Sequence, residues 1–148
     1  MRKLTITCAA VAGAAIWAAC LDVATAQTEV PSQTIWGGVF TEAQAYRGEK
    51  VADTTCIGCH GAGLTGGDSG PKLVGTKFLS DWRGQSLGEL FDWISESMPD
   101  DAPGTLSKSD AVLVLAYILK MNQLPTGKQD LPIDRAALAR IAIVADKP

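Results

Sequence analysis

The chain has 148 residues, with 13 Lys and Arg against 16 Asp and Glu, a formal net charge of −3. That balance, with no basic stripe anywhere along the chain, excludes nucleic acid as a partner. The length suits one domain.

The chain opens with Arg2 and Lys3, runs uncharged over the 18 residues 4–21, and reaches Ala24-Thr25-Ala26. A basic end, an apolar middle and a small-x-small site predict a secretory signal peptide over 1–26, cleaved after Ala26, and hence a periplasmic protein. Two alternatives stay open: an uncleaved apolar run is long enough to anchor the chain in a membrane, and Cys20 could be lipidated, although Trp17 replaces the small aliphatic residue such sites usually carry. Membrane contact is expected only in those two cases. Without 1–26 the remaining 122 residues carry eleven basic and fifteen acidic side chains, a net charge of −4.

Residues 27–40 predict an irregular lead-in. Thr41 and Gln44 stand at capping-box spacing and good helix formers follow, predicting a helix over 41–53. Gly48 interrupts it at a cost of about 1 kcal/mol relative to Ala, which marks a close approach by a second helix. Seven glycines and Pro71 in residues 61–84 predict a loop. Ser86 and Glu89 then form a second capping box, and Leu87, Leu90, Phe91, Ile94 and Met98 follow at i, i+3, i+4, i+7 and i+11, an inward face that ends at Met98-Pro99. Ser107 caps a further helix to about 123, with Asp110 at its third position. Residues 111–119 are all apolar or aromatic, so this helix should be mostly buried and should cross the Gly48 helix. The tail 125–148 is expected to pack on the domain, carries a short helical signal over 134–141, and has partner docking as its alternative role. No strand-type alternation is evident.

The stretch DTTCIGCHGAG, residues 53–63, holds the lone histidine and the two cysteines outside the export segment. A disulfide between Cys56 and Cys59 would close a tiny loop and constrain the unfolded chain little. Zinc would need two further ligands, and residues 27–148 contain no other Cys or His. Thioredoxin-like chemistry wants a βαβ setting that this segment lacks. Two thiols at this spacing can instead add to the two vinyl groups of one haem, leaving His60 beneath the ring to bind its iron. For the sixth position the chain offers Met98 and Met121. Met98 ends an inward face and enters an irregular loop, whereas Met121 lies near the end of a regular buried helix, where core packing explains it. Met98 is therefore expected as the second axial ligand, and an open or exchangeable position is the alternative.

The Gly48 helix, CIGCHG, GPKLVG, SMP and VLVLAYILKMN occur in an order that resembles class I monohaem c-type cytochromes over residues 41–124. The resemblance implies an all-α fold, three to four helices wrapped around one covalently bound haem c, with crossing N- and C-terminal helices. It implies that Gly48 meets the helix carrying Tyr117, that Tyr117 lines the haem pocket, and that the Pro71 carbonyl holds the second ring nitrogen of His60. Ala52 departs from the family, which usually has an aromatic there, so another side chain must fill that volume. The lead-in and tail are similar to those of bacterial cytochromes serving periplasmic dehydrogenases, including quinone-cofactor alcohol dehydrogenases.

Ligation by His60 and Met98 leaves no position for substrate and favours a relatively high potential, helped by burial of the ring against Leu90, Ile94, Val114, Tyr117 and Ile118. The expected function is single-electron transfer, as a free carrier or as the electron-transfer subunit of a dehydrogenase complex, not catalysis. Expected partners are redox proteins, a periplasmic dehydrogenase and an oxidase or another cytochrome. A haem enzyme or gas sensor with a labile sixth site is the alternative. Trp82 and Trp93 are expected as core filler before haem-propionate donors, and Asp100 and Asp101 as a solvated loop. Lys72 and Lys77 would suit an acidic partner, but the net charge favours a basic or largely apolar one.

Overall fold

The computed structural model describes residues 33–147; the signal peptide and cleavage after Ala26 expected from the sequence lie outside them. In chain order the elements are strand β1 (Gln33–Thr34), a 3-10 turn (Ile35–Gly37), helices α1 (Glu42–Thr55) and α2 (Ile57–His60), a 3-10 turn (Ala62–Leu64), α3 (Thr76–Asp81), α4 (Leu87–Ser97), α5 (Lys108–Met121), α6 (Arg135–Ala139) and strand β2 (Ile141–Ala142). No helix among the described residues is long and apolar enough to cross a membrane.

The helix starts follow their caps. The Thr41 hydroxyl accepts from the Gln44 amide, and Ser86 and Glu89 form a reciprocal capping box. Ser107 accepts from the Asp110 amide and Asp134 from the Ala136 amide, each cap satisfying a backbone donor that the first turn leaves unpaired. The box predicted at Thr41 is only half formed. The Gln44 side chain, 2% exposed, instead grips Leu131, donating to its carbonyl at 2.9 Å and accepting from its amide at 2.8 Å.

Helices α1 and α5 cross as the glycine predicts. A Cβ placed on Gly48 would overlap the Leu113 carbonyl oxygen and stand 3.0 Å from the Tyr117 Cβ, so the two backbones touch where no side chain fits. Ala111 through Leu119 of α5 are buried except for Leu113, and Ala45 and Ala52 of α1 are fully buried against the same core. On α4, Leu87, Leu90, Phe91 and Ile94 point inward.

Three expectations need correction. Residues 61–84 are not wholly loop: α3 lies within them. Six residues cannot display a helical period, and Gly75, with φ of +91°, precedes the helix without a capping side chain. Its Phe78 and Leu79 are buried. The described part of the lead-in, residues 33–40, is also ordered, burying Ile35 and Phe40 completely, and β1 pairs in parallel with β2, Gln33 opposite Ile141 and Thr34 opposite Ala142. Two-residue strands are too short to alternate. Lastly, Trp93 is no core filler: it stands off the apolar stripe of α4 and is 54% exposed, whereas Trp82 is half-buried with its ring tilted against Phe78 at 6.5 Å.

The tail after Pro125 lies along the domain. Leu131, Leu138, Ile141 and Ile143 are buried, α6 packs on α4, and the Ile143 amide donates to the Gln85 carbonyl at 2.8 Å.

Candidate haem-binding site

Helix α1 ends where Cys56 donates its amide to the Ala52 carbonyl, and α2 starts at once from that residue. This single turn carries Cys56, Cys59 and His60. The His60 amide bonds the Cys56 carbonyl at 2.9 Å, so both cysteines and the histidine share one rigid scaffold. Both thiols are free, Cys56 half-buried and Cys59 exposed. Burial raises the Cys56 thiol above its ordinary pKa, with a smaller opposing effect from its hydrogen bond with Thr55.

The chain then folds back on this turn. The Gly66 amide donates to the His60 carbonyl at 2.7 Å, and Gly70 comes so close that a Cβ there would stand 3.0 Å from His60 Nδ1. That approach delivers the next residue: the Pro71 carbonyl lies 2.7 Å from Nδ1. A carbonyl can only accept, so Nδ1 carries the proton, and the neutral tautomer that this bond selects has its lone pair on Nε2. The imidazole is thereby fixed in both tautomer and orientation.

Asn122, which the sequence reading passed over, holds the segment after Pro71. It is 8% exposed, donates to the carbonyls of Leu73 at 2.9 Å and Ile118 at 2.8 Å, and accepts from the Gly75 amide at 2.9 Å. An Asn at a helix end reads as a simple cap, and only the fold shows that it ties α5 to the Pro71 loop.

Tyr117 is buried in the α1–α5 crossing, where burial, then the charges of Glu49 and Asp53, raise its hydroxyl pKa. Met98 lies on a different element, as the half-buried, extended residue that caps α4 and precedes a cis peptide to Pro99. The second thioether, Met121, has its methyl 3.5 Å from the point a Cβ on Gly63 would occupy, and packs against the core. No cluster of three or more His, Cys, Asp or Glu suited to an isolated metal ion occurs among the described residues.

The donor set suits the haem that the Cys-x-x-Cys-His spacing predicts. Two free thiols on one turn provide the covalent attachment, and an imidazole with Nε2 unprotonated provides a nitrogen donor.

Comparison with known protein families agrees. The family model described as cytochrome c oxidase, cbb3-type, subunit III matches residues 43–118. A solved structure, the sulfane dehydrogenase SoxCD from Paracoccus pantotrophus, is similar with 21% identity and a TM-score of 0.48, covering 88% of this chain and 68% of that one. No curated protein matches at a comparable level.

Proposed function

The chain belongs to the family described as cytochrome c oxidase, cbb3-type, subunit III, as a c-type cytochrome with one covalently bound haem c, and from that premise we propose that it is an exported electron carrier with His60 and Met98 as axial ligands. Haem-based electron transfer follows from the family; the ligand pair, the compartment and the partners are the proposal. The observation that carries it is the bond from His60 Nδ1 to the Pro71 carbonyl on the turn that also holds two free thiols.

When bound, the haem supplies a one-electron couple at its iron. Cys56 and Cys59 would anchor it as thioethers. Pro71 holds the imidazole ring in place and, by accepting the Nδ1 proton, makes Nε2 a better donor. Met98 would supply a neutral, soft sulfur that favours the reduced state. Its place at the end of α4, whose Leu90, Phe91 and Ile94 are locked in the core, keeps it on a rigid element. With His60 and Met98 both holding the iron, substrate would have no place to coordinate.

Periplasmic location is supported by the pattern of residues 1–26, basic, apolar, then small. Electrons would arrive from a periplasmic dehydrogenase, with the chain either free or as that enzyme's subunit, and leave to an oxidase or another cytochrome.

The ferric holoprotein should show the methionine-to-iron charge-transfer absorption at neutral pH and should bind CO slowly when reduced. Met98→Ala should abolish the band, lower the reduction potential and open the reduced protein to rapid CO binding, while Met121→Leu should leave all three unchanged. If the native protein lacks the band and binds CO rapidly, the carrier reading fails and the open-site enzyme or sensor reading replaces it.

A further inference from the structure

Charge is unevenly placed in this chain. Residues 84–107, which contain α4 and the loop after it, hold five acidic side chains and no Lys or Arg. The other described residues hold eleven basic against nine acidic ones, so the whole negative excess of residues 33–147 resides in this one segment.

The structure turns that segment's charges outward. The core takes Leu87, Leu90, Phe91 and Ile94, and on a 3.6-residue period Glu89, Asp92, Trp93 and Glu96 fall on the opposite side. Arg135 neutralises Asp92 through a 2.9 Å ion pair. Glu89 and Glu96 are exposed on either side of Trp93 along the helix, and Asp100 and Asp101 are exposed just beyond its end. In the middle stands Trp93, 54% exposed, an aromatic ring that the interior does not use. An exposed aromatic ring flanked along its helix by carboxylates, with Arg135 spent on Asp92, has the anatomy of an interface: aromatic residues anchor, and neighbouring charges steer. The positive groups expected around an electron-transfer site that serves an acidic partner are not gathered: Lys77 is paired with Asp81 at 2.8 Å.

We propose, resting on the carrier reading above, that the outer face of α4 and the loop after it form the docking surface for a cationic redox partner, a protein with a Lys- or Arg-rich face that receives Trp93 at its centre. The partner's charge follows from complementarity to the flanking carboxylates. The location serves the chemistry, because Trp93 precedes Met98 by five residues, about 7.5 Å along a helix axis. A partner seated there meets the protein beside its proposed axial methionine, on a helix braced by α6 along its Gly88–Asp92 edge.

The test uses the reduced holoprotein and two oxidants of opposite charge, tris(phenanthroline)cobalt(III), a trication with aromatic faces, and ferricyanide, a trianion. A lysine-rich c-type cytochrome serves as the protein acceptor. Oxidation by the two cationic acceptors should be fast at low ionic strength and fall as salt rises. The triple change Glu89→Gln, Glu96→Gln, Asp100→Asn should lower the low-salt rate with both about tenfold, and leave ferricyanide equal or faster. Trp93→Ala should lower the rates with the cationic acceptors even at high salt, and Trp93→Phe should restore most of the loss, with the ligand-field spectrum unchanged in both. The same loss of three charges outside the segment, Glu49→Gln, Asp68→Asn, Asp146→Asn, should alter the rates less than about twofold. Equal losses from the two triple variants, or rates indifferent to α4, overturn the docking surface. A protein with no reversible one-electron couple fails at the earlier reading instead, so the two failures are told apart by voltammetry.

Discussion

Asn122 uses both ends of its amide: one bond returns to the Ile118 carbonyl of its own helix, and the other two join the end of α5 to the segment that follows Pro71. Replacing it with Ala leaves the Gly75 amide and the Leu73 carbonyl without their partner in a half-buried loop. We expect Asn122→Ala to cost about 2–3 kcal/mol, read as a lower denaturant midpoint with unchanged slope in guanidinium unfolding; a midpoint within error of the native protein would show that water replaces the amide freely. The contrast with Cys56, Cys59 and His60 explains what a sequence discloses of such a site. Those three residues lie within one turn, so spacing alone carries their chemistry. Pro71 is eleven residues from His60, and only resemblance pointed to it. Asn122 lies 47 and 49 residues from its loop partners, a separation that no local pattern encodes. Trp93 was misread for a related reason: its residue type suggested the core, while its position off the Leu87–Ile94 stripe already placed it outside.

Between elements, the α1–α5 crossing is the contact most sensitive to a single carbon atom. In an isolated helix Gly48→Ala would gain about 1 kcal/mol. Here the new methyl group would overlap the Leu113 carbonyl oxygen, a backbone atom that cannot rotate away. The helices would have to separate along a face where Ala45, Ala52, Ala116 and Tyr117 are all buried. We expect a net loss of about 1–3 kcal/mol, the usual penalty for overpacking, measured by thermal unfolding of the holoprotein; a variant as stable as the native chain would mean that the crossing has slack. Caps and apolar stripes made α1, α4 and α5 legible, because each signal lies within the element it describes. Helix α3 and the β1–β2 pair were not legible. The first is too short for a period and has a glycine in place of a cap; the second joins residues more than a hundred positions apart, which meet only because the tail returns across α4 to the lead-in.

Across the whole molecule, that returning tail acts as a strap. From Pro125 it runs past the start of α1, where the Gly127 amide reaches the Phe40 carbonyl at 2.6 Å and Gln44 grips Leu131, then over α4 as α6, and ends beside the lead-in, where the Trp36 indole donates to the Val144 carbonyl at 3.3 Å. The strap thus immobilises the helix that ends at Met98, which a carrier with little reorganisation between oxidation states requires. One of its ties titrates. Asp130 accepts from the Thr41 hydroxyl and from Arg47, the latter at 2.6 Å, and these contacts, the hydroxyl first, lower its carboxyl pKa below the ordinary 3.8. A carboxylate whose pKa is lowered by folding stabilises the native state fully above its unfolded value and loses that contribution as pH falls through the lowered one. Asp130→Asn should therefore cost stability at pH 7, and the gap to the native chain should close only below about pH 3.8, not between pH 7 and 5. Because the Asp130 side chain is 45% exposed, solvent screens the pair. The gap should be about 0.5 kcal/mol at low ionic strength and shrink in 0.5 M salt. Urea unfolding of both proteins from pH 3 to pH 7 at two salt concentrations measures it, and a gap that stays constant across that range would mean that the carboxylate charge contributes nothing to the strap.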